Sequence, residues 1–143
     1  MATVQQLLLT KEPSLWSIAP DALVYDAIRL MAEKEIGALL VLEGGKLVGV
    51  MSERDYARKV ILKGKSSRET RVRDIMTPEP KCVTPDDTVE RCMNIMTDER
   101  IRHLPVTQDG RLVGIISIGD VVKAIITQQE FFIEQLRQYI AGG

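Results

Sequence analysis

Two Ser-x-x-Asp pairs, Ser52 with Asp55 and Ser117 with Asp120, are the residues of this 143-residue chain whose types and spacing best suit chemistry. A serine followed three residues later by an acid, at the start of a helix, can close a capping box. The same carboxylate can accept two hydrogen bonds from a vicinal diol, and a helix N-terminus offers N–H groups and positive partial charge to a phosphate. Capping and binding are compatible, and both stay open at this point. Arg102 and His103 place a basic pair ahead of the second Ser-x-x-Asp, where the first has Gly37 and Ala38.

Nothing else in the chain forms a catalytic set. There is no HExxH, no Walker A sequence and no Gly-x-Ser-x-Gly elbow, and Gly44 to Gly49 reads as a hairpin turn and strand rather than a phosphate loop. Cys82 and Cys92 stand ten apart without C-x-x-C spacing, and His103 is the one histidine, so no metal is expected. Cys92 falls on an apolar helical stripe and reads as a small buried hydrophobe. The chain is therefore expected not to be an enzyme.

The elements that must position these residues come from an internal repeat. Residues 17–60 align on residues 82–125 at a constant offset of 65 with no gap, and 13 of the 44 aligned positions are identical, which makes duplication the organising fact of the fold. Upstream, Val4, Leu7 and Leu8 match Val72, Ile75 and Met76 at an offset of 68, the difference being a three-residue insertion around Leu15. Each lead-in is read as part of the repeat that follows it. The predicted divisions are 1–70 for the first repeat with its lead-in, 71–127 for the second with its linker, and 128–143 for a helical tail.

Each copy has the same grammar. A short extended piece (Trp16 to Ala19; Lys81 to Thr84) leads to Pro-Asp, which suits a helix start, and an apolar stripe follows: Val24, Ala27, Ile28, Met31, then Val89, Cys92, Met93, Met96. Two apolar runs around a tight turn come next: Ala38 to Leu42 and Leu47 to Met51 around Gly44-Gly45, then Leu104 to Thr107 and Leu112 to Ile116 around Asp109-Gly110. A second helix starts near Glu53 or Ile118. The predicted class is α/β, β-α-β-β-α twice, with the two sheets packed face to face about a pseudo-two-fold axis and small-ligand clefts between them. Past the repeat, Phe131, Phe132, Ile133, Leu136, Tyr139 and Ile140 carry a helical apolar stripe that suits packing on the same module, dimer contact or partner docking.

Composition narrows the function classes. Apolar residues are 45% and charged residues 27%, enough for a packed core, while a net charge of −1 with interspersed signs gives no one-sided field for nucleic acid. The basic stretch from Arg58 to Arg73 has no aromatic residue for base stacking and reads as a solvated linker. Met1 to Thr10 shows no basic n-region or cleavage site, and Leu7 to Leu9 is far too short to span a bilayer. No nucleic acid and no membrane is expected, and the cytoplasm is the expected location.

Taken together and in duplicate, three features give a specific resemblance: Gly-x-x-Ser-x-x-Asp after the third strand, Ile-x-x-Leu-x-Val before the hairpin, and Val72-Arg73-Asp74-Ile75-Met76-Thr77-Pro78 between the copies. The chain resembles a CBS-domain pair over Val4 to Ile126, and Ser52 to Lys59 is particularly like the stand-alone pairs. The resemblance implies a regulatory homodimer that binds an adenine nucleotide (AMP, ADP, ATP or NAD) without a required metal and acts on a regulated protein not identified by sequence. It implies that Asp55 and Asp120 hold the ribose while Ser52, Ser117 and Gly119 approach the phosphate. Arg102 and His103 would contact phosphate too, with Arg54 compensating beside Asp55. Ile18, Ile36, Gly37, Val83, Thr84 and Ile101 would supply walls and backbone edges to adenine, along with Met76 and Thr77 of the linker. As apolar residues, Ile36 and Ile101 also suit plain core. The unequal pairs Arg102-His103 and Gly37-Ala38 imply unequal clefts. The alternative is a ligand-free dimerisation or interaction module with vestigial clefts.

Overall fold

The computed structural model describes residues 2–11 and 15–142. Most of the insertion expected around Leu15 falls on residues 12–14, outside the described residues. The element order is α1 (Val4–Leu9), β1 (Ser17–Ile18), α2 (Val24–Lys34), β2 (Ala38–Glu43), β3 (Lys46–Ser52), α3 (Glu53–Tyr56) running into a π-helical turn (Ala57–Ile61), α4 (Val72–Ile75), β4 (Thr77–Pro78), α5 (Val89–Glu99), β5 (His103–Gln108), β6 (Arg111–Ser117) and α6 (Ile118–Gly142). The class is α/β, as the repeat predicted. Two compact units result: Leu15–Lys81, and Met1–Ser14 together with Cys82–Gly143.

Local chemistry explains the duplicated elements. The two-residue hairpin turns are Gly44-Gly45 and Asp109-Gly110, all four at φ between 52° and 80°, the left-handed region that a type I′ turn requires. Both helical stripes are buried as expected, Val24, Ala27 and Met31 on α2 and Val89, Cys92 and Met96 on α5. Each helix ends in a Schellman-type closure: Glu35 and Arg100 adopt φ near 55°, and the N–H groups of Ile36 and Ile101 donate to the carbonyls of Met31 and Met96 at 3.0 Å. The strand pairs β2–β3 and β5–β6 are antiparallel with matching registers and a bulge at the same place, between Val41 and Leu42 and between Val106 and Thr107.

Three expectations need correction. Pro-Asp does not start the helices. It occupies the middle of a turn in each copy, closed by Ala22 N–H to Ala19 O and Asp87 N–H to Thr84 O, because proline presets φ for the second turn position; α2 and α5 begin three residues later. The extended piece Lys81 to Thr84 is not a second copy of β1, which pairs parallel with β2. It is reduced to a single parallel bridge, Val83 to Val106. In the first copy Leu40 N–H donates to Trp16 O, and the equivalent of Leu40 is Pro105, which has no N–H to give.

The third difference concerns the lead-ins. Val4 and Leu7 of α1 are buried with Val83, Val89, Cys92, Met96, Leu104, Val106, Ile116 and Val121, the core of the second repeat. Val72 and Ile75 of α4 are buried with Val24, Ala27, Met31, Leu39, Val41, Met51 and Val60, the core of the first. Each lead-in thus completes the core of the repeat it does not precede. The glycines Gly49 and Gly114 make room for it: a Cβ on Gly49 would lie 2.6 Å from Met76 Sδ and 2.9 Å from the Thr77 carbonyl, and one on Gly114 would lie 2.8 Å from Leu8 Cδ2. Repeat boundaries in sequence and compact units in space therefore divide the chain differently.

Candidate functional site

In the unit that holds the second repeat, β6 ends at Ser117 and α6 starts at the next residue, so the Ser-x-x-Asp spans a strand-to-helix junction. The β5–β6 register sets His103 opposite Ser117, and Ile118 N–H donates to Arg102 O at 2.8 Å, which fixes the first turn of α6 against the strand edge. Asp120 turns back on the cap. Its Oδ2 accepts from Ser117 N–H at 2.8 Å while its own N–H donates to Ser117 Oγ at 3.1 Å. Lys11 arrives from beyond α1, donating from Nζ to Asp120 Oδ2 at 2.6 Å and to Ile115 O at 2.8 Å.

Electrostatics keeps this carboxylate charged. Burial pushes the Asp120 carboxyl up, but the bonds from Lys11 and from the Ser117 backbone outweigh it and hold the group below its usual 3.8. Oδ1 of Asp120 accepts no hydrogen bond from the described residues. His103 shifts the other way: burial and the Lys11 charge lower it, Asp120 opposes them and Arg102 adds to them, leaving a neutral imidazole at pH 7.

The unit that holds the first repeat builds the same junction with different chemistry. Glu53 N–H donates to Gly37 O at 3.0 Å, and Ala38 lies opposite Ser52, so a methyl group stands where the imidazole of His103 does. Asp55 Oδ2 accepts from Ser52 N–H and Ser52 Oγ, each at 3.0 Å, and Asp55 N–H donates to Ser52 Oγ at 3.1 Å, a full capping box. Lys59 Nζ sits 3.2 Å from Asp55 Oδ1 and donates to Ile75 O at 2.9 Å. Both Asp55 oxygens are therefore engaged, whereas Asp120 keeps one in reserve.

The structure gathers Lys11, His103, Ser117 and Asp120. Beside them, Arg102, Ile118 and Gly119 border an open groove of about 690 Å³ along α6, with Val122, Lys123, Ile126 and Glu130. Val83 is buried in the core, and Ile36, Ile101 and Ile18 are partly buried and pack against the two cores. Thr84 is exposed, its N–H donating to Asp87 Oδ2 at 2.8 Å. Met76 packs over Gly49, Thr77 pairs with Val50 in β4, and Arg54 is half-buried. Sequence reasoning missed both lysines. Lys59 was within reach, since Asp55 and Lys59 have the i, i+4 spacing of a helical ion pair. Lys11 was not, because its repeat partner at an offset of 68 is Glu79.

Cys92 is buried, which together with the charge of Asp87 pushes its thiol up to about 11 and leaves it inert. The basic stretch is tied down on its own unit: Arg73 pairs with Asp21 at 2.7 Å, Arg71 donates to the Asp21 carbonyl, and Arg68 lies over the Tyr25 ring. Among the described residues no helix is long and apolar enough to cross a membrane, and no three His, Cys, Asp or Glu side chains gather as a metal site.

Comparison with known proteins agrees with this architecture. The CBS domain matches twice, at residues 7–62 and 72–127. The chain is 46% identical over 134 residues to the mitochondrial CBS domain-containing protein CBSX3 of Arabidopsis thaliana, a match that takes in 90% of this chain and 65% of that protein. A protein with CBS domains from Burkholderia ambifaria has a solved structure that superposes with a TM-score of 0.87 at 49% identity, covering 90% of this chain and 96% of that one. CBSX2, solved in complex with AMP, superposes with a TM-score of 0.73 at 29% identity over 90% of this chain and 99% of its own. The relatives are described as CBS-domain and signal-transduction proteins rather than as enzymes. With two CBS domains in tandem accounting for most of its length, the chain belongs to the CBS-domain family of regulatory modules.

Proposed function

We propose that this tandem pair is a sensor that binds an adenine nucleotide at the Ser117–Asp120 start of α6 and passes its occupancy to a regulated protein. One observation carries the reading: an ionised Asp120 whose Oδ1 is left over by the cap, at a helix N-terminus with a lysine and a neutral histidine beside it. Oδ1 accepts from a ribose hydroxyl. The helix N-terminus, Ser117 and Lys11 offer positive charge and donors to the phosphate. The AMP complex of CBSX2 supports adenine nucleotides as the class to test, with ADP, ATP and NAD beside AMP. Asp55, with both oxygens engaged, is the weaker site.

A second reading is favoured by the caps themselves. Ser52–Asp55 and Ser117–Asp120 are both closed reciprocally, which a ligand-free dimerisation or interaction module would need as much as a sensor. We also propose that the protein acts as a homodimer. Neither cysteine is in a disulfide among the described residues, which suits a reducing compartment, and we place the protein in the cytoplasm, which cell fractionation tests.

Thermal melting with AMP, ADP, ATP, NAD and S-adenosylmethionine separates the readings. A ligand at a hundred times its Kd stabilises the native state by about 2.7 kcal/mol. Asp120→Ala is expected to weaken the responding nucleotide roughly ten- to a hundredfold by removing charge-assisted bonds. No response to any nucleotide, or an affinity unchanged in Asp120→Ala, would overturn the sensor reading.

A further inference from the structure

The tail of α6 presents an apolar seam that stays exposed among the described residues. Val122, Ile126, Gln129, Ile133, Leu136 and Ile140 are all exposed and follow one another at alternating spacings of four and three, the period of a helix that packs along another helix. Ile126, Ile133 and Ile140 occupy one core position of that period and Val122, Gln129 and Leu136 the other. Phe132, 62% exposed, and Tyr139, 80% exposed, flank one edge, and Glu130 and Arg137 flank the other. Among the described residues no ion pair holds Glu130 or Arg137, which stand seven residues apart, about 10 Å along the helix.

We propose that this tail pairs with the same tail of a second copy, antiparallel, about a two-fold axis between Glu134 and Gln135. That axis places Ile133 against Leu136 of the second copy and Gln129 against Ile140. It also sets Glu130 beside Arg137 on one flank and Phe132 beside Tyr139 on the other, each contact occurring twice by symmetry. Charge selects this direction. In a parallel pair the positions that face across the flanks are Ile125 with Glu130 and Phe132 with Arg137, which leave every charge unmatched. The overlap runs from Thr127 to Gly142 on each helix, 16 residues or about 24 Å. The inference deepens the homodimer proposal by naming its surface and register.

Charge reversal on the full chain tests it. Light scattering and sedimentation of the unaltered protein are expected to give twice the 16.0 kDa chain mass at micromolar concentration. Glu130→Arg and Arg137→Glu each place like charges together twice per dimer, so each alone is expected to raise the dimer dissociation constant about tenfold or more. Mixing the two variants restores both pairs in a one-to-one heterodimer, with a dissociation constant near that of the unaltered protein. Thermal melting checks that each variant keeps its fold, which neither exposed side chain supports. A dimer indifferent to either reversal leaves the homodimer standing but removes the tail from its interface. Reversals that weaken the dimer without rescue on mixing refute the antiparallel register, and a monomeric unaltered protein refutes both.

Discussion

Lys11→Met tests the site at its least anticipated residue. The substitution keeps an unbranched apolar stem but removes the ammonium that donates to Asp120 Oδ2 at 2.6 Å and to Ile115 O at 2.8 Å. Both partners of the ion pair are roughly 30% exposed at the side chain, so water takes over much of what the ammonium did, and the fold is expected to lose only about 1 kcal/mol. Binding separates the two roles of Lys11. As a partner of Asp120 it engages Oδ2, which also accepts from Ser117 N–H, and not the Oδ1 that accepts from ribose, so its loss leaves the affinity for adenosine, which has no phosphate, unchanged. As a cation beside the helix N-terminus it attracts phosphate, so its loss weakens AMP by about 1 to 2 kcal/mol, roughly five- to thirtyfold. Calorimetric titration of both ligands into the unaltered protein and Lys11→Met reads the difference directly. Equal losses for adenosine and AMP, or no loss for either, would refute the assignment of Lys11 to the phosphate end.

Two further outcomes follow from packing and titration. Gly49→Ala is expected to cost about 1 to 3 kcal/mol, because its Cβ meets the Thr77 backbone carbonyl as well as Met76, while Gly114→Ala meets only the flexible end of Leu8 and costs less than half as much; chemical denaturation of both variants checks the order. His103 titrates below its usual 6.5 in the folded chain, so the unfolded chain takes up the proton first as pH falls; stability is expected to decline on acidification from about pH 6.5 until the folded group also protonates, and His103→Gln should remove that part of the decline in denaturation midpoints measured across pH.

The repeat made the hairpins, both stripes and the strand-to-helix junctions legible, because each is a local pattern of two or three residue types seen twice. The Gly-Gly and Asp-Gly turns and the starts at Glu53 and Ile118 came out where periodicity put them. What escaped is what depends on a neighbour distant in sequence. Pro105 silences a ladder bond that only the partner segment at residues 81–84 would have accepted. Pro-Asp looked like a helix start because proline suits both a first helical turn and a β-turn, and only the three residues that follow decide between them. Lys11 reaches Asp120 across more than a hundred residues, so the charge state of the candidate site depends on a residue with no counterpart in the repeat.

The exchanged lead-ins give the two halves different standing during folding. The first repeat's core is built from one continuous stretch, since Val24 to Ile75 includes α4; it can close as the chain emerges, with no residue outside Leu15–Lys81. The second core is interrupted. Val4 and Leu7 must wait for Val89, Leu104 and Ile116, with the whole first unit tethered between them like a domain inserted into a loop. That order of assembly has a corollary for dissection: Leu15–Lys81 is a fragment with a complete interior, whereas Cys82–Gly143 is an interior with a hole where α1 belongs, and a synthetic peptide of the first eleven residues, Lys11 included, is the piece that would fill it and restore the Asp120 ion pair together.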